Sequence, residues 1–381
     1  MSLTLDFEKK LDNFTLKVSL DAPDGVTALL GASGSGKSMT LRCIAGIARP
    51  DSGRIVLNDR VIFDAAKGIN LRPQERRTGF LFQNYALFPG MTVFENVLMG
   101  VRSAVHKSKA DRIRLAGEMI ERMELSHVRN SRASEISGGE MQRTALARIL
   151  VNDADIMMLD EPFSALDEHL RFSLEKELSR VMREFGKTVI LVSHNRDEVF
   201  RLAGRVAVIH RGVIESSGEV RAVFENPGTV HAARLTGVKN IAPAKIDAAG
   251  FITVPGWGIR APLRGANEDI SGITAAGIRM NDMRLKPYPG ETGSEKSGLA
   301  ASESAEPGRF YDFAIESVTE NLFSYTLDLR NPRVPDPRPL YWQVSRDIWR
   351  PGTLTGSDGE MAENAGISLF IPDRAVMALR G

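Results

Sequence analysis

Gly31-Ala32-Ser33-Gly34-Ser35-Gly36-Lys37-Ser38 is the stretch of sequence that decides the fold. It follows an uninterrupted apolar run, Val26 to Leu30, and precedes residues with helical spacing, so it is predicted to link a strand to a helix. Such a glycine-rich loop directs successive backbone N–H groups and the N-terminus of the helix toward a phosphate group. The pattern predicts that Lys37 pairs with β- and γ-phosphate oxygens and that Ser38 ligates Mg²⁺, with Thr40 in the same nucleotide-binding set.

The segments around this loop alternate between strand and helix. Ile156 to Leu159 and Thr188 to Val192 are short apolar runs typical of buried strands, and a charged helix is predicted between them. Residues 108–150 show mostly helical periodicity, which predicts a helical subdomain at about residues 84–155. This alternation predicts an α/β fold with a mostly parallel sheet that helices cover on both faces.

Two acidic residues end the first of these apolar runs. Because the carboxyl ends of strands form the edge at which ligands bind in open α/β folds, Asp160 and Glu161 are predicted to face the phosphates. Asp160 would hold Mg²⁺, and Glu161 could take a proton from the water that attacks the γ-phosphate. Strands often end in acidic residues, so this interpretation depends on the glycine-rich loop upstream.

The composition excludes several classes of protein. There are 49 basic and 48 acidic residues, for a formal net charge of +1, which is not the basic footprint of a nucleic-acid-binding protein. The single cysteine, Cys43, excludes an internal disulfide and is predicted to be a buried core thiol. No apolar run approaches the roughly 18 to 20 residues that a membrane-spanning helix needs, so membrane association is expected to come through a partner.

A further motif, Ile136-Ser137-Gly138-Gly139-Glu140, lies about twenty residues before the acidic strand end and resembles the signature sequence of ATP-binding-cassette (ABC) proteins. Ser137 is predicted to begin a helix whose N–H groups and hydroxyl can bind a phosphate. The resemblance implies a P-loop NTPase fold of the ABC ATPase type, in which this turn contacts the γ-phosphate of ATP held by a second copy. The family usually has Gln where Glu140 stands, a departure that concerns the strength of the closed dimer.

Three more residues follow in the order that the family has. Gln83, in Phe80-Leu81-Phe82-Gln83-Asn84, resembles the glutamine that senses Mg²⁺ and links the site to the permease. Asp167 ends Ser164-Ala165-Leu166-Asp167, which resembles the loop that crosses the dimer, and His194 resembles the switch histidine that contacts the γ-phosphate.

Family members commonly stack the adenine ring on an aromatic side chain near the first strands. Phe7 and Phe14 are both candidates for this role, and the alternative for each of them is packing in the core.

The sequence pattern changes after about Thr236, where helical spacing stops and short strand-like pieces alternate with glycine and proline turns. We predict an ATPase domain over residues 1–235 and a small β-domain over residues 236–381, with a flexible loop at about residues 287–307. Residues 240–246 and 277–283 resemble the edges of the small barrel, called TOBE or molybdate-binding-like, that is appended to some importer ATPases. An oxyanion ligand could bind hydroxyls such as those of Ser324, Thr326 and Ser345, and a purely structural barrel is the alternative.

The resemblance implies the ATP-hydrolysing subunit of an ABC importer, peripheral on the cytoplasmic face of the membrane. Its implied partners are a second copy, polytopic permease subunits and, through them, a substrate-binding protein. Residues 85–89 are expected either to receive a helix of the permease or to pack against the helical subdomain. Residues 4–64 favour the molybdate or tungstate branch, although sulfate, iron, polyamine and sugar importers share the pattern. A non-transport ABC regulatory protein is the remaining alternative.

Overall fold

The computed structural model describes residues 2–101, 108–164, 168–263, 270–285, 307–349 and 366–381. It divides into two compact units, Met1–Val223 and Phe224–Gly381. The predicted domain boundary at residue 235 stays a prediction. Asp167 and all but the last residue of the predicted loop at residues 287–307 lie outside the described residues. Within the described residues, no helix is both long and apolar enough to cross a membrane.

The first unit is built on an eleven-stranded mixed sheet in the order β6-β5-β4-β1-β2-β11-β10-β3-β9-β8-β7. Its strands are β1 (Ser2–Lys10), β2 (Thr15–Pro23), β3 (Gly25–Leu30), β4 (Ser52–Leu57), β5 (Arg60–Asp64), β6 (Ile69–Asn70), β7 (Thr78–Leu81), β8 (Ile156–Asp160), β9 (Thr188–Ser193), β10 (Arg205–His210) and β11 (Val213–Glu219).

The predicted parallel sheet corresponds to β10, β3, β9, β8 and β7, which pair with one another in parallel, whereas β10 pairs antiparallel with β11 on its other side. Strands β8 and β9 are buried along their whole length, as their continuous apolar sequences require. By contrast, the pairs β1–β2, β1–β4, β4–β5 and β5–β6 are antiparallel, and β2 pairs in parallel with β11. Short connections explain the pairs β1–β2, β4–β5 and β5–β6, since a tight turn can join only antiparallel strands.

The helices of this unit cover the sheet and form the region between β7 and β8, which contains α2, α3 and α4. They are α1 (Lys37–Ala45), α2 (Val93–Gly100), α3 (Lys109–Arg122), α4 (Gly138–Leu150), α5 (Glu168–Phe185) and α6 (Arg196–Leu202); α7 (Val220–Glu225) contains the boundary between the units. Cys43 of α1 is fully buried, and burial raises the pKa of its thiol to about 12. The predicted inert core thiol is therefore confirmed.

Arg76 fixes the C-terminal end of α1. Its guanidinium is fully buried and donates to the carbonyls of Cys43 and Ile44 at 2.7 and 2.9 Å, to Leu71 O at 2.8 Å and to Asn70 Oδ1 at 2.7 Å. A charged side chain can be buried at this position because its donors are bonded to the carbonyls that a helix leaves unpaired at its end.

The second unit is an antiparallel β-domain, as predicted, with one short helix, α8 (Val230–Leu235). Its strands form three sheets in the orders β12-β16-β22, β13-β14-β15 and β17-β21-β18-β19-β20. The strands are β12 (Asn240–Pro243), β13 (Lys245–Ile246), β14 (Phe251–Val254), β15 (Ile259–Pro262), β16 (Ile273–Ile278), β17 (Arg284–Leu285), β18 (Gly308–Glu320), β19 (Ser324–Arg330), β20 (Leu340–Ser345), β21 (Gly366–Pro372) and β22 (Met377–Arg380).

Two buried tryptophans anchor the core of this second unit. Trp257 and Trp342 are each 1% exposed. Their indole N–H groups donate to Pro339 O at 3.1 Å and to Met283 O at 3.0 Å. Because a buried indole needs a hydrogen-bond partner, these bonds fix the position of each ring within the apolar core.

Candidate active site

The loop between β3 and α1 has the geometry of a phosphate cradle. Gly34 and Gly36 have φ angles of 76° and 108°, in the region that favours glycine. A Cβ at Gly31 would lie 2.5 Å from Ile209 O, so the backbone approaches β10 more closely than a side chain would allow. Gly36 is the N-cap of α1 and leaves the first N–H groups of the helix without a side-chain cap, so these groups can receive an anion.

Lys37 is held inside this loop. Its side chain is 4% exposed, and Nζ donates to Gly31 O at 2.8 Å and to Ala32 O at 2.9 Å. Burial lowers the pKa of Lys37, while the carboxylates of Glu161 and Asp160 act in the opposite direction. An ammonium has three N–H donors, so the two carbonyls position the group without using all of them.

The site brings together oxygen ligands suited to Mg²⁺. Ser38 Oγ donates to Asp160 Oδ1 at 2.9 Å, and Asp160 is 7% exposed. Burial raises the pKa of Asp160, and the bond from Ser38 partly offsets this shift. A hydroxyl beside a buried carboxylate is a donor set that fits a hard divalent cation, which would also compensate the buried charge.

Glu161 lies between a cation and an imidazole. Its Oε1 is 4.0 Å from Lys37 Nζ and its Oε2 is 3.3 Å from His194 Nδ1. The backbone of Glu161 has a φ of 47°, and its N–H donates to Val192 O at 3.1 Å. A non-glycine residue in this region is strained by roughly 1–3 kcal/mol, a cost that is often found at functional sites.

Ser164 connects Gln83 to the same site. Gln83 Nε2 donates to Ser164 Oγ at 3.3 Å, and Ser164 Oγ donates to the carbonyl of Glu161 at 3.0 Å. The sequence motif contained Ser164 but gave it no role, because its contact with Gln83 spans 81 residues of chain. Thr40 is fully buried and its hydroxyl donates to Gly36 O at 3.0 Å, so it stabilises the end of the phosphate loop.

The parallel strands explain why these residues meet. Leu30 of β3 pairs with Ser193 of β9, and Asp160 of β8 pairs with Val192, so all three strands end at the same edge of the sheet. The residues that follow each strand, the glycine-rich loop, Glu161 and His194, are therefore neighbours. The structure brings together the predicted residues Lys37, Ser38, Gln83, Asp160, Glu161 and His194 through these contacts.

The turn at Ser137 stands apart from this cluster. Ser137 is the N-cap of α4, and Glu140 completes a capping box with it. Among the described residues, no hydrogen bond or ion pair joins Ser137, Gly138 or Gly139 to the phosphate loop or to Glu161. Such an arrangement suits a turn whose ligand is carried by another copy of the chain.

Phe7 and Phe14 have different surroundings. Phe7 of β1 is 2% exposed and belongs to the core of the first unit. Phe14 is only partly buried and lies beside the phosphate loop, since a Cβ at Gly36 would lie 3.6 Å from its ring and one at Gly212 would lie 2.6 Å from it. Of the two rings, Phe14 is therefore the one that a nucleotide in the loop could reach.

Residues 85–89 divide between the two roles expected of them. Tyr85 is 6% exposed, and burial raises the pKa of its hydroxyl. Arg148 of α4 donates to Tyr85 O at 3.0 Å and to Ala86 O at 2.8 Å, which ties the segment to the helical region. Phe88 is 46% exposed, so a large apolar side chain of the segment faces solvent.

In the second unit, the candidate oxyanion donors lie together on β19 and β20. Ser324 and Ser345 are opposite each other in the strand register, and Thr326 is two residues along β19. Each hydroxyl already accepts a hydrogen bond: Ser324 from Gln343 Nε2 at 3.0 Å, Thr326 from Asn321 Nδ2 at 3.0 Å and Ser345 from Asp347 N at 3.4 Å. These bonds engage lone pairs of the hydroxyl oxygens and not the O–H donors that an oxyanion would use.

A separate cavity of about 370 Å³ in the second unit is lined by arginines. The guanidinium of Arg279 donates to Thr236 O at 2.8 Å and to Phe224 O, which fixes it at the wall. Two other arginines and two acidic residues share the lining, namely Arg284, Arg374, Glu225 and Asp282. No sequence pattern predicted this cavity, because its residues come from three separate segments of the chain.

Comparison with known proteins agrees with this geometry. Residues 11–164 match the family model described as ABC transporter. The chain is 34% identical over 344 residues to the Fe(3+) ions import ATP-binding protein FbpC of Brucella abortus, which covers 88% of this chain and 92% of that protein. It is 37% identical over 225 residues to the molybdenum import ATP-binding protein ModC of Rhodospirillum rubrum, covering 59% of this chain and 60% of that protein.

A solved structure is also similar to this chain. CbiO1 from Clostridium perfringens, described as part of the ABC transporter complex CbiONQ, superposes with a TM-score of 0.51 at 28% identity. The match covers 58% of this chain and 90% of CbiO1.

Proposed function

The chain belongs to the ABC transporter family and is one of its ATPases, and we propose that two copies clamp two ATP molecules and thereby drive import through a partner permease. The observation that carries this proposal is the cluster of Lys37, Ser38, Asp160, Glu161 and His194 at the edge formed by β3, β8 and β9. A phosphate cradle, a cation-binding pair and a carboxylate base in contact with one another are the parts that nucleotide hydrolysis requires.

Each residue of the site has its own role in binding or hydrolysing ATP. The N–H groups of residues 31–38 and the Lys37 ammonium bind the β- and γ-phosphates. Ser38, Asp160 and Gln83 would hold Mg²⁺, which when bound would offset the charge on the phosphate oxygens. Glu161 accepts a proton from the attacking water, and His194 orients the Glu161 carboxylate and contacts the γ-phosphate.

A second copy completes each site. The Ser137 hydroxyl and the N–H groups of Gly138 and Gly139 would bind the γ-phosphate held by the partner, and Asp167 would lie at the dimer interface. Closure around ATP would move the permease, and hydrolysis would release the copies. Phe14 would stack on the adenine ring, and the exposed Phe88 would contact a cytoplasmic helix of the permease. The ATPase would then lie on the inner face of the membrane.

The proposed sandwich, in which two copies enclose two ATP molecules, can be tested with Glu161→Gln. This change removes the base but keeps the phosphate cradle. This variant should be monomeric without nucleotide and dimeric with saturating Mg-ATP, as measured by light scattering during size-exclusion chromatography. Lys37→Ala in the same background should stay monomeric, because the phosphates lose their cation. A Glu161→Gln protein that remains monomeric with Mg-ATP, with and without its permease, would overturn the proposal.

We propose molybdate or tungstate as the cargo, with Fe(3+) as the second candidate. Similarity to ModC, at 37% identity, supports the first. Similarity to FbpC supports the second, since that match extends over 88% of the chain. Proteoliposomes that contain the permease and its binding protein should hydrolyse ATP faster with one cargo than with the others. Stimulation by putrescine or a sugar alone would refute both candidates.

We further propose that the arginine-lined cavity of the second unit binds an oxyanion. Guanidinium groups donate paired N–H bonds to oxyanions, and Arg279 is already fixed at the cavity wall. Titration of the full chain with molybdate in a calorimeter should show binding that Arg284→Gln/Arg374→Gln weakens and Ser345→Ala leaves unchanged. Absence of heat with molybdate, tungstate and sulfate would refute the proposal.

A further inference from the structure

Glu140 makes more contacts at the Ser137 turn than a helix cap requires. Its Oε2 accepts hydrogen bonds from Ser137 N at 2.8 Å and from Ser137 Oγ at 2.7 Å, while Glu140 N donates to Ser137 Oγ at 3.4 Å. Its other oxygen, Oε1, is 2.8 Å from His127 Nε2. The Ser137 hydroxyl has a single proton, and that proton is engaged by Glu140.

The carboxylate is also a charge at the end of a helix. The N-terminus of α4 carries a partial positive charge that attracts anions, and Glu140 already supplies one within the same chain. Hydrogen bonds from Ser137 lower the pKa of Glu140 to about 2, so the side chain is ionised at neutral pH. Its side chain is 15% exposed, which limits screening by solvent.

We infer that Glu140 is a positioning residue that competes with the γ-phosphate of the partner copy for the Ser137 hydroxyl. This inference rests on the proposed sandwich. To bind the phosphate, Ser137 Oγ must turn its proton away from Glu140 Oε2, and the phosphate must approach a carboxylate of the same sign. Glu140 therefore raises the ATP concentration at which two copies associate.

Glutamine at this position separates the two effects of the side chain. The amide oxygen of a glutamine can still accept the bond from Ser137 N, so the helix keeps its cap, but the negative charge is lost. We expect Glu140→Gln, made in the Glu161→Gln background, to lower the ATP concentration for half-maximal dimerisation by about two- to fivefold. Because the effect is electrostatic, this ratio should shrink when the ionic strength is raised from about 0.05 to 0.5 M.

The chain contains a matched control for this experiment. Helix α2 begins with a capping box of the same design, in which Glu95 Oε2 accepts from Thr92 N at 2.8 Å and from Thr92 Oγ1 at 3.1 Å. Glu95→Gln should change thermal stability by a similar amount and leave the ATP dependence of dimerisation unchanged.

Light scattering at increasing Mg-ATP, for the Glu161→Gln protein with and without the second change, gives distinguishable outcomes. If Glu161→Gln alone does not dimerise, the proposed sandwich fails, and the inference that rests on it fails as well. If it dimerises and Glu140→Gln leaves the ATP concentration for half-maximal dimerisation unchanged, the inference is wrong. It is also wrong if Glu95→Gln shifts this concentration as much as Glu140→Gln does. The salt titration of the Glu161→Gln protein, whose folding is not in question, provides a second test: a midpoint that is independent of salt contradicts electrostatic competition.

Discussion

Replacing Glu161 by glutamine isolates the proton transfer in hydrolysis. The change removes the carboxylate that lies 4.0 Å from Lys37 Nζ and 3.3 Å from His194 Nδ1 and keeps the shape of the side chain. General-base catalysis contributes a factor of about 10² to 10⁴. Turnover should fall by that factor, which corresponds to about 3–5 kcal/mol of transition-state stabilisation.

The contact between Glu161 and His194 predicts how the two residues combine. If His194 acts largely by orienting the Glu161 carboxylate, His194→Ala should slow turnover much less once Glu161 is already glutamine. The coupling free energy should then lie at about 0.5–3 kcal/mol, since the two groups are in contact.

Phosphate release at saturating Mg-ATP measures turnover, and equilibrium binding of a fluorescent ATP analogue shows that the cradle is intact. Glu121→Gln, a change at an exposed position of α3, should leave turnover unchanged and serves as the control. Normal turnover in Glu161→Gln, or losses that multiply fully in the double variant, would refute the assigned roles.

Three further predictions concern other regions. Phe14→Ala should weaken ATP binding by about 1–3 kcal/mol in a binding titration, with little change in turnover at saturation. Phe7→Ala should instead lower the free energy of unfolding by about 3–5 kcal/mol, because Phe7 is in the core. Equal losses of ATP binding in the two variants would contradict this prediction. Trp342→Ala should destabilise the second unit by about 3–5 kcal/mol. Tryptophan fluorescence during denaturant unfolding measures this loss, since all three tryptophans lie in the second unit. An unchanged denaturant midpoint would contradict the packing of Trp342. The pKa of Glu140 is lowered to about 2 in the folded chain. The carboxylate therefore contributes fully to stability above the ordinary glutamate pKa near 4.5, and this contribution is lost as the pH falls toward 2. The difference in unfolding free energy between wild type and Glu140→Ala should shrink over that range, and a difference that grows would contradict the prediction.

The sequence predicted the fold class and which residues of the candidate site would lie together, but not the order of the strands. Ser38 and Asp160 are 122 residues apart, yet their contact follows from the rule that parallel strands end at one edge. The pairing of the antiparallel strands could not be predicted, because the alternation of Leu16, Val18 and Leu20 fixes which face is buried and not which strand is the neighbour.

Contacts that depend on loop conformation could not be predicted. The bond between His127 and Glu140 joins a 3₁₀ turn to the first turn of α4, and no periodic pattern relates the two residues. In the second unit, Gly308 pairs with Pro372 across a long connection, so the small domain could be recognised from its turns but its strand order could not.

Arg76 has a consequence for motion within the first unit. The first turn of α1 borders the phosphate loop, and the carbonyls at its other end are bonded to Arg76, which lies just before β7 and the Gln83 segment. Arg76 therefore ties the far end of α1 to the chain that leads into Gln83. We expect a displacement of the phosphate loop by nucleotide to reach the glutamine segment along this route, within a single copy.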